Sequence, residues 1–366
     1  MKDFRIFYGS LAFLIIILWW FVSKNGFGST VDAQAYWYAA QSLQSKGELL
    51  TPHGYYTNWT PLFPAILSVL GIRITLFITL ITNLILLFKL NKSVFDSQLN
   101  TWSSSLAYSH TLLGITFILI HFFVWSEAGF MALLIACILS IQKLHKTQDW
   151  AILIILSNFL CMQRMAGVFF IAIFYIWIWK QHTWKKAFLY GFLASLSLIV
   201  WFTRNFFIQN KPDFIENIFM VSFESSLIGY SEAILNIFLP SHFLPNIFKI
   251  ILLGIFLFVL IYILWSDNTS ISKLLSSLII GYLSIMLFLR MNVEGESERY
   301  IAPIIPLIIF LFWKQISLLF HKKSHLYWRI SGFSIAFLIL AYNIFRTYKN
   351  VYQWVTTPPD LISIHF

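Results

Sequence analysis

The sequence predicts an all-α membrane protein that crosses a bilayer many times, and three observations carry that prediction. Hydrophobic residues make up 59% of the 366-residue chain and charged residues only 11%, whereas a soluble domain is about half apolar and a quarter charged. The mean hydropathy is +0.76. The apolar residues also fall in runs of the length that spans a hydrocarbon core, about 20 residues per helix. A water-soluble fold has no interior for so much apolar surface; a bilayer takes it, provided every backbone polar group is bonded within a helix. The composition has room for about eleven transmembrane helices, within a range of roughly nine to thirteen. No stretch is long enough for a separate soluble domain, so residues 1–366 read as one membrane domain.

The first apolar run, Ile6 to Val22, ends in Trp19-Trp20-Phe21 with no small-residue cleavage site, and reads as an uncleaved span near 6–23. Further spans are expected near 61–88, 106–124, 128–144, 151–163, 166–179, 187–207, 247–265, 274–290, 300–313 and 329–345. The two around Arg164 are short and read either as re-entrant halves or as one long tilted helix. Pro303 and Pro306 should bend or break the span that opens at 300. Cys137 and Cys161 lie inside apolar runs and read as small hydrophobes.

Eleven crossings put the termini on opposite sides. With the N-terminus inside, the inner segments hold 14 of the 25 basic residues, Lys89, Lys92, Lys143, Lys180, Lys185 and Lys186 among them, against four acids, Asp3, Asp96, Asp149 and Asp267. The whole excess of +10 then sits inside, as the positive-inside rule requires. It is a topology signal, not a nucleic-acid or polyanion patch.

Two outer segments are long. In the first, 24–60, residues 32–45 read as an amphipathic helix capped by Ser29 or Thr30 and followed by Gly47, with Asp32, Tyr36, Ala39 and Leu43 on one face. Such a helix lies along the interface. The second, 208–246, mixes Lys211, Asp213, Glu216, Glu224 and Glu232 with aromatics; it is too polar to span and too apolar to float free. The tail from Arg346 reads as short and peripheral.

Four charged features fall on the outer side, where each needs a reason, because an ionised group within a bilayer costs at least about 2.5–3.5 kcal/mol. Asp32 opens the first-loop helix, where a carboxylate favours the helix dipole but can also serve as a general base. Glu127, in Trp125-Ser126-Glu127, sits between two spans with almost no loop: a solvated turn acid, or a second carboxylate on the same cavity. Arg164 is flanked by apolar residues and either snorkels or binds a phosphate bidentately. Glu298-Arg299-Tyr300 draws an arginine into the start of an apolar helix. There is no phosphate-cradling glycine loop, no His-Glu-x-x-His and no Gly-x-Ser-x-Gly. The nine histidines do not cluster, although His53 and His242 fall outside. Asn58-Trp59-Thr60 matches a glycosylation sequon, a weak signal.

Taken in order, these stretches resemble a known family. An Asp follows the first span in Val31-Asp32-Ala33-Gln34-Ala35-Tyr36; Tyr56-Thr57-Asn58-Trp59-Thr60-Pro61-Leu62-Phe63-Pro64 comes next, then Ser126-Glu127, Arg164 with Gly167, and Arg299-Tyr300-Ile301-Ala302-Pro303. The chain resembles the polytopic GT-C glycosyltransferases, in particular bacterial relatives of the dolichyl-phosphate-mannose protein mannosyltransferases and of the lipid A aminoarabinose transferases. The resemblance implies a membrane enzyme that takes a sugar from a polyprenyl-phosphate donor. Asp32 matches the family's first-loop acid, and Arg299 falls where the family carries an arginine in its last outer motif. Two departures stand out: Ala33 follows Asp32 where many members have a second acid, and the larger C-terminal soluble domain of many members has no counterpart here.

The expected site takes Asp32 and Glu127 as catalytic carboxylates, and Arg164, Glu298, Arg299, Tyr300, Tyr36, Trp59 and His53 as substrate contacts. No metal ligand set is assigned; a divalent ion near Asp32 and Glu127 is the one cofactor considered. The expected partners are the polyprenyl-phosphate sugar, an acceptor that is a lipid, a glycan or a protein, and membrane lipids, with no nucleic acid. The expected location is a bacterial cytoplasmic membrane, N-terminus cytoplasmic and site outside. A lipid transporter or flippase would also carry buried charges, but favours internal repeats and mid-span ionisable groups, neither of which is visible. An O-antigen ligase or polymerase would also face outward and use a lipid-linked substrate, but favours a large outer loop late in the chain. A purely structural membrane protein leaves the four outer charged features as four separate coincidences.

Overall fold

The computed structural model describes residues 2–52, 54–95, 101–209, 221–267, 269–290, 297–322, 326–357 and 359–362. Among them helices dominate: α1 (Lys2–Val22), α2 (Val31–Lys46), α3 (Leu62–Phe95), α4 (Thr101–Leu113), α5 (Ile115–Phe122), α6 (Glu127–Ile141), α7 (Thr147–Gln163), α8 (Gly167–Gln181), α9 (Trp184–Gln209), α10 (Phe223–Leu235), α11 (Asn246–Ser266), α12 (Ser270–Leu289), α13 (Ser297–Ile301), α14 (Ile305–Lys322) and α15 (Leu326–Thr356). Every segment expected to span the membrane is helical. Among the described residues, however, five helices are long and apolar enough to cross on their own, 62–95, 184–208, 246–266, 270–289 and 297–319, or six if the bent pair α4–α5 counts as one span. Ile6–Val22, Glu127–Ile141 and Gly167–Gln181 are apolar but shorter than that standard.

Large apolar side chains point outward along whole helix faces, such as Phe13 and Trp20 on α1, Phe258 and Trp265 on α11, and Phe337 and Phe345 on α15. A protein in water does not leave such stripes uncovered; lipid covers them. The chain is an integral, all-α polytopic membrane protein.

Sequence chemistry explains the interruptions. α3 breaks at Gly71, whose φ of 71° lies in the left-handed region that glycine adopts without penalty. The 43° bend between α4 and α5 falls at Gly114, and the Thr347 hydroxyl donates to the Leu113 carbonyl at 2.6 Å beside that break. A 3-10 turn over Ala302–Ile304, carrying Pro303, separates α13 from α14, as the two prolines predict.

The first outer loop follows its expectation closely. Thr30 caps α2, its Oγ1 accepting from the Ala33 amide, and Gly47 ends it in the left-handed conformation at φ 73°. α2 buries Tyr36 and Ala39 and packs on α3. In the second outer segment, Ser222 caps α10, which packs against α11, α12 and α13; Lys211, Asp213 and Glu216 lie outside the described residues.

Around Arg164 the two expected segments are separate helices and not one long tilted one: α7 and α8 are joined by Arg164-Met165-Ala166 and pack on each other. One expectation needs correction. The tail is not peripheral. α15 runs on to Thr356, because its polar residues past Arg346 still share a face with apolar ones. Beyond it β4 (Leu361–Ile362) pairs antiparallel with β1 (Phe27–Gly28), the Ser29 amide donates to Asp360 O at 2.7 Å, and Trp354 stacks on Phe122 at 5.1 Å. A second two-stranded pair, β2 (Leu50–Thr51) antiparallel to β3 (Gly54–Tyr55), lies within the first outer loop.

The α7–α8 turn tolerates no added carbon. A Cβ on Gly167 would lie 2.8 Å from the backbone of Leu160 and Cys161, which cannot rotate aside. Gly167→Ala is expected to cost about 1–3 kcal/mol through overpacking, seen as a melting temperature several degrees lower in detergent; unchanged melting would refute the close turn.

Candidate functional site

Four ionic side chains from four stretches of chain meet at one place. Glu127, the first residue of α6, is fully buried. Its Oε1 accepts from Arg164, in the α7–α8 turn, and from Arg299 Nε, on α13, at 2.5 Å. Arg299 Nη2 in turn donates to Asp32 Oδ2 at 2.6 Å. Arg299 thus bridges the two carboxylates, while its guanidinium lies over the Trp125 ring at 4.5 Å, a cation–π contact. Asp32 is 27% exposed and Arg164 17%; these are the two members that a ligand can reach.

Local structure sets each member. Thr30 Oγ1 caps α2, which places Asp32 in its first turn, and also accepts from Trp125 Nε1 at 2.9 Å. That ties the Asp32 helix to the Trp125-Ser126-Glu127 stretch. Phe123 stacks on Trp125 at 4.6 Å, and a Cβ on Gly28 would lie 2.7 Å from the Phe123 ring, so only glycine lets β1 pass. The Gln163 amide nitrogen donates to Ser126 O at 3.0 Å, and Arg164 Nη1 approaches Ser126 Oγ at 3.4 Å. Arg164 is therefore held from both sides of its turn.

Tyr36 and Trp59 line the same site. The Tyr36 hydroxyl lies 3.4 Å from Ser126 Oγ, and its ring meets Trp59 and Phe63 edge-on at 5.9 and 5.2 Å. Burial, and then the Asp32 charge, push the Tyr36 phenol above its ordinary value, so it stays protonated. Trp59 is steadied by Tyr56. Across the mouth, Arg204 donates to Tyr56 O at 3.3 Å and Asn205 to Thr57 O at 3.0 Å, fastening this loop to α9.

Other expected contacts go elsewhere. Glu298 turns away from Asp32: its Oε1 accepts from Arg346 Nη2 at 2.5 Å and from the Asn236 amide nitrogen at 2.9 Å. Its neighbour Arg299 faces the opposite way because adjacent residues on a helix point about 100° apart. The Tyr300 carbonyl accepts from the Tyr282 hydroxyl at 2.9 Å. His53 lies outside the described residues, as do Glu294 and Glu296. Sequence alone marks the Trp125 stretch but not the place of its ring under Arg299. It gives no sign of Arg346 as a partner, because that arginine opens a stretch that reads as a peripheral tail.

The donor set does not fit a divalent cation as arranged. Glu127 Oε2 has no hydrogen-bond partner among the described residues, but the remaining acid charge is taken up by two guanidiniums. No group of three or more His, Cys, Asp or Glu gathers among the described residues.

No family model matches the chain, and no curated protein matches it by sequence. Among solved structures, the crystal structure of ArnT from Cupriavidus metallidurans bound to undecaprenyl phosphate aligns with a TM-score of 0.60 at 11% identity, over 86% of this chain. The chain has an ArnT-like fold. It spans 60% of the length of that ArnT chain, and at this identity the likeness concerns the fold.

Removing the Glu127 charge takes away the acid that both guanidiniums share and leaves only Asp32, which pairs with Arg299, to balance them. Glu127→Gln is expected to destabilise the fold by about 3–5 kcal/mol, the usual cost of breaking a buried ion pair on one side, while Glu127→Asp keeps the charge and loses less. Equal melting temperatures for Glu127→Gln and the unaltered protein would refute a structural charge at this position.

Proposed function

We propose that this protein is a membrane glycosyltransferase of the GT-C type, moving a sugar from a polyprenyl-phosphate donor to an acceptor hydroxyl on the extracytoplasmic face of a bacterial cytoplasmic membrane. The observation that carries the reading is the Asp32–Arg299–Glu127–Arg164 cluster: one reachable carboxylate beside two cations, in an ArnT-like fold. The undecaprenyl phosphate bound to the ArnT structure supports a polyprenyl phosphate as the ligand of this chain too.

The roles follow from exposure. Asp32 is the general base, the only acid of the cluster open to a ligand. It accepts the proton of the acceptor hydroxyl as that oxygen bonds to the anomeric carbon. The bond from that carbon to the phosphate oxygen breaks in line, and polyprenyl phosphate leaves with the electron pair. One displacement inverts the anomeric centre. Arg164, the exposed guanidinium, pairs with the leaving phosphate, and the buried Arg299 adds its positive charge beside it, where low dielectric strengthens the attraction. Glu127 is too buried to exchange protons with an acceptor; it holds the two arginines in place. Tyr36 and Trp59 offer aromatic faces to the sugar.

Asp32→Asn, assayed in proteoliposomes with polyprenyl-phosphate-linked sugars, should lower transfer by at least about 100-fold, the low end of general-base catalysis, while the protein still binds polyprenyl phosphate. Near-normal turnover would sink the assignment.

A further inference from the structure

The end of the bundle away from Asp32 carries a second site that the transferase reading does not use. α6 starts at Glu127 and its 15 residues rise about 1.5 Å each, so a recess beyond its far end lies roughly 20 Å from the cluster. This recess, about 690 Å³ in volume, opens where the far ends of α3 and α6 meet the start of α7, and Lys89, Lys92 and Lys143 line it. None of the three lysines has a carboxylate partner among the described residues. Asp149, the one acid among the described lining residues, is already committed: its Oδ2 accepts the backbone N–H groups of Lys146 at 2.8 Å and His145 at 3.1 Å. Those bonds, that to Lys146 foremost, hold its carboxyl below the ordinary value.

The remaining lining says what the lysines meet. Ser93 and Gln142 bond each other at 2.8 Å on the wall, a neutral polar pair beside the lysines. Beside them Leu86, Leu139 and Ile152 supply an apolar floor. Ile152 is half exposed, as are Ile85 and Ile155 on the same two helices, so the recess is continuous with a lipid-facing surface. A soluble anion has no use for that floor; an acyl chain does.

We propose that this recess binds the headgroup of an anionic phospholipid, the phosphodiester between Lys89, Lys92 and Lys143 and the acyl chains against Leu86, Leu139 and Ile152. The charge complementarity and the apolar continuity select a lipid over a free phosphate, and neither depends on the transferase reading.

The test uses the full chain in detergent, delipidated and then offered an equimolar mixture of phosphatidylglycerol and phosphatidylcholine, with bound lipid counted by native mass spectrometry. The unaltered protein should retain phosphatidylglycerol preferentially. The triple variant K89Q/K92Q/K143Q should lose that preference by on the order of 100-fold, and K89R/K92R/K143R should keep it. K24Q/K46Q/K349Q, which neutralises three exposed lysines outside the recess, should be unaffected. All three lysines of the recess are exposed, so melting temperatures should match across the set. Equal loss in both Gln triples, no loss in the first, or displacement of the lipid by millimolar inorganic phosphate would overturn the proposal.

Discussion

One guanidinium organises the outer end of this molecule. Arg299 binds Glu127 and Asp32 at once, and Arg164 returns to Glu127 from another helix pair. Charges taken out of water are costly unless paired, and each partner here depends on the others. Two acids and two arginines balance, so the cluster can sit largely buried. Withdraw any one and an unpaired charge remains. The helices that bear them, α2, α6, α7 with α8, and α13, are held to a common point by that requirement as well as by packing.

The surroundings serve the same end. Thr30 joins the cap of α2 to the Trp125 indole, so the Asp32 helix and the aromatic platform of Arg299 are positioned by one hydroxyl. The turn at Gly167 is tight enough to bring Arg164 back over Ser126. Glu298, next to Arg299, is fixed by Arg346 and Asn236, so α13 is anchored on both faces: one side by α15 and the α10 end, the other by the cluster. The described C-terminal strand closes over the chain just before Asp32.

The arrangement separates the duties of the two carboxylates, which as residue types are nearly equivalent. Exposure divides them: Asp32 can meet a substrate and Glu127 cannot. Under the proposed transfer, in which a proton and a sugar move and a phosphate leaves, the exposed acid is the one placed to act as base and the buried one to hold the arginines. At the opposite end three exposed lysines outnumber one acid that is tied to backbone amides, an arrangement suited to the lipid headgroup proposed there.

The sequence by itself determined the membrane class, the position of nearly every helix and the α2 boundaries, because apolar runs, capping residues and glycines act over a few neighbours. It also marked Asp32, Glu127, Arg164 and Arg299, since a charge beside apolar residues is conspicuous in one dimension. Tertiary structure alone decided which of them touch, that Glu298 faces Arg346 while its neighbour faces Asp32, and that the tail pairs with β1. Those outcomes rest on contacts between residues as far apart as Arg299 and Asp32, 267 positions, and Phe27 and Ile362, 335 positions. No local propensity encodes such a distance; only the packing of helices, with each buried charge obliged to find its partner, resolves it.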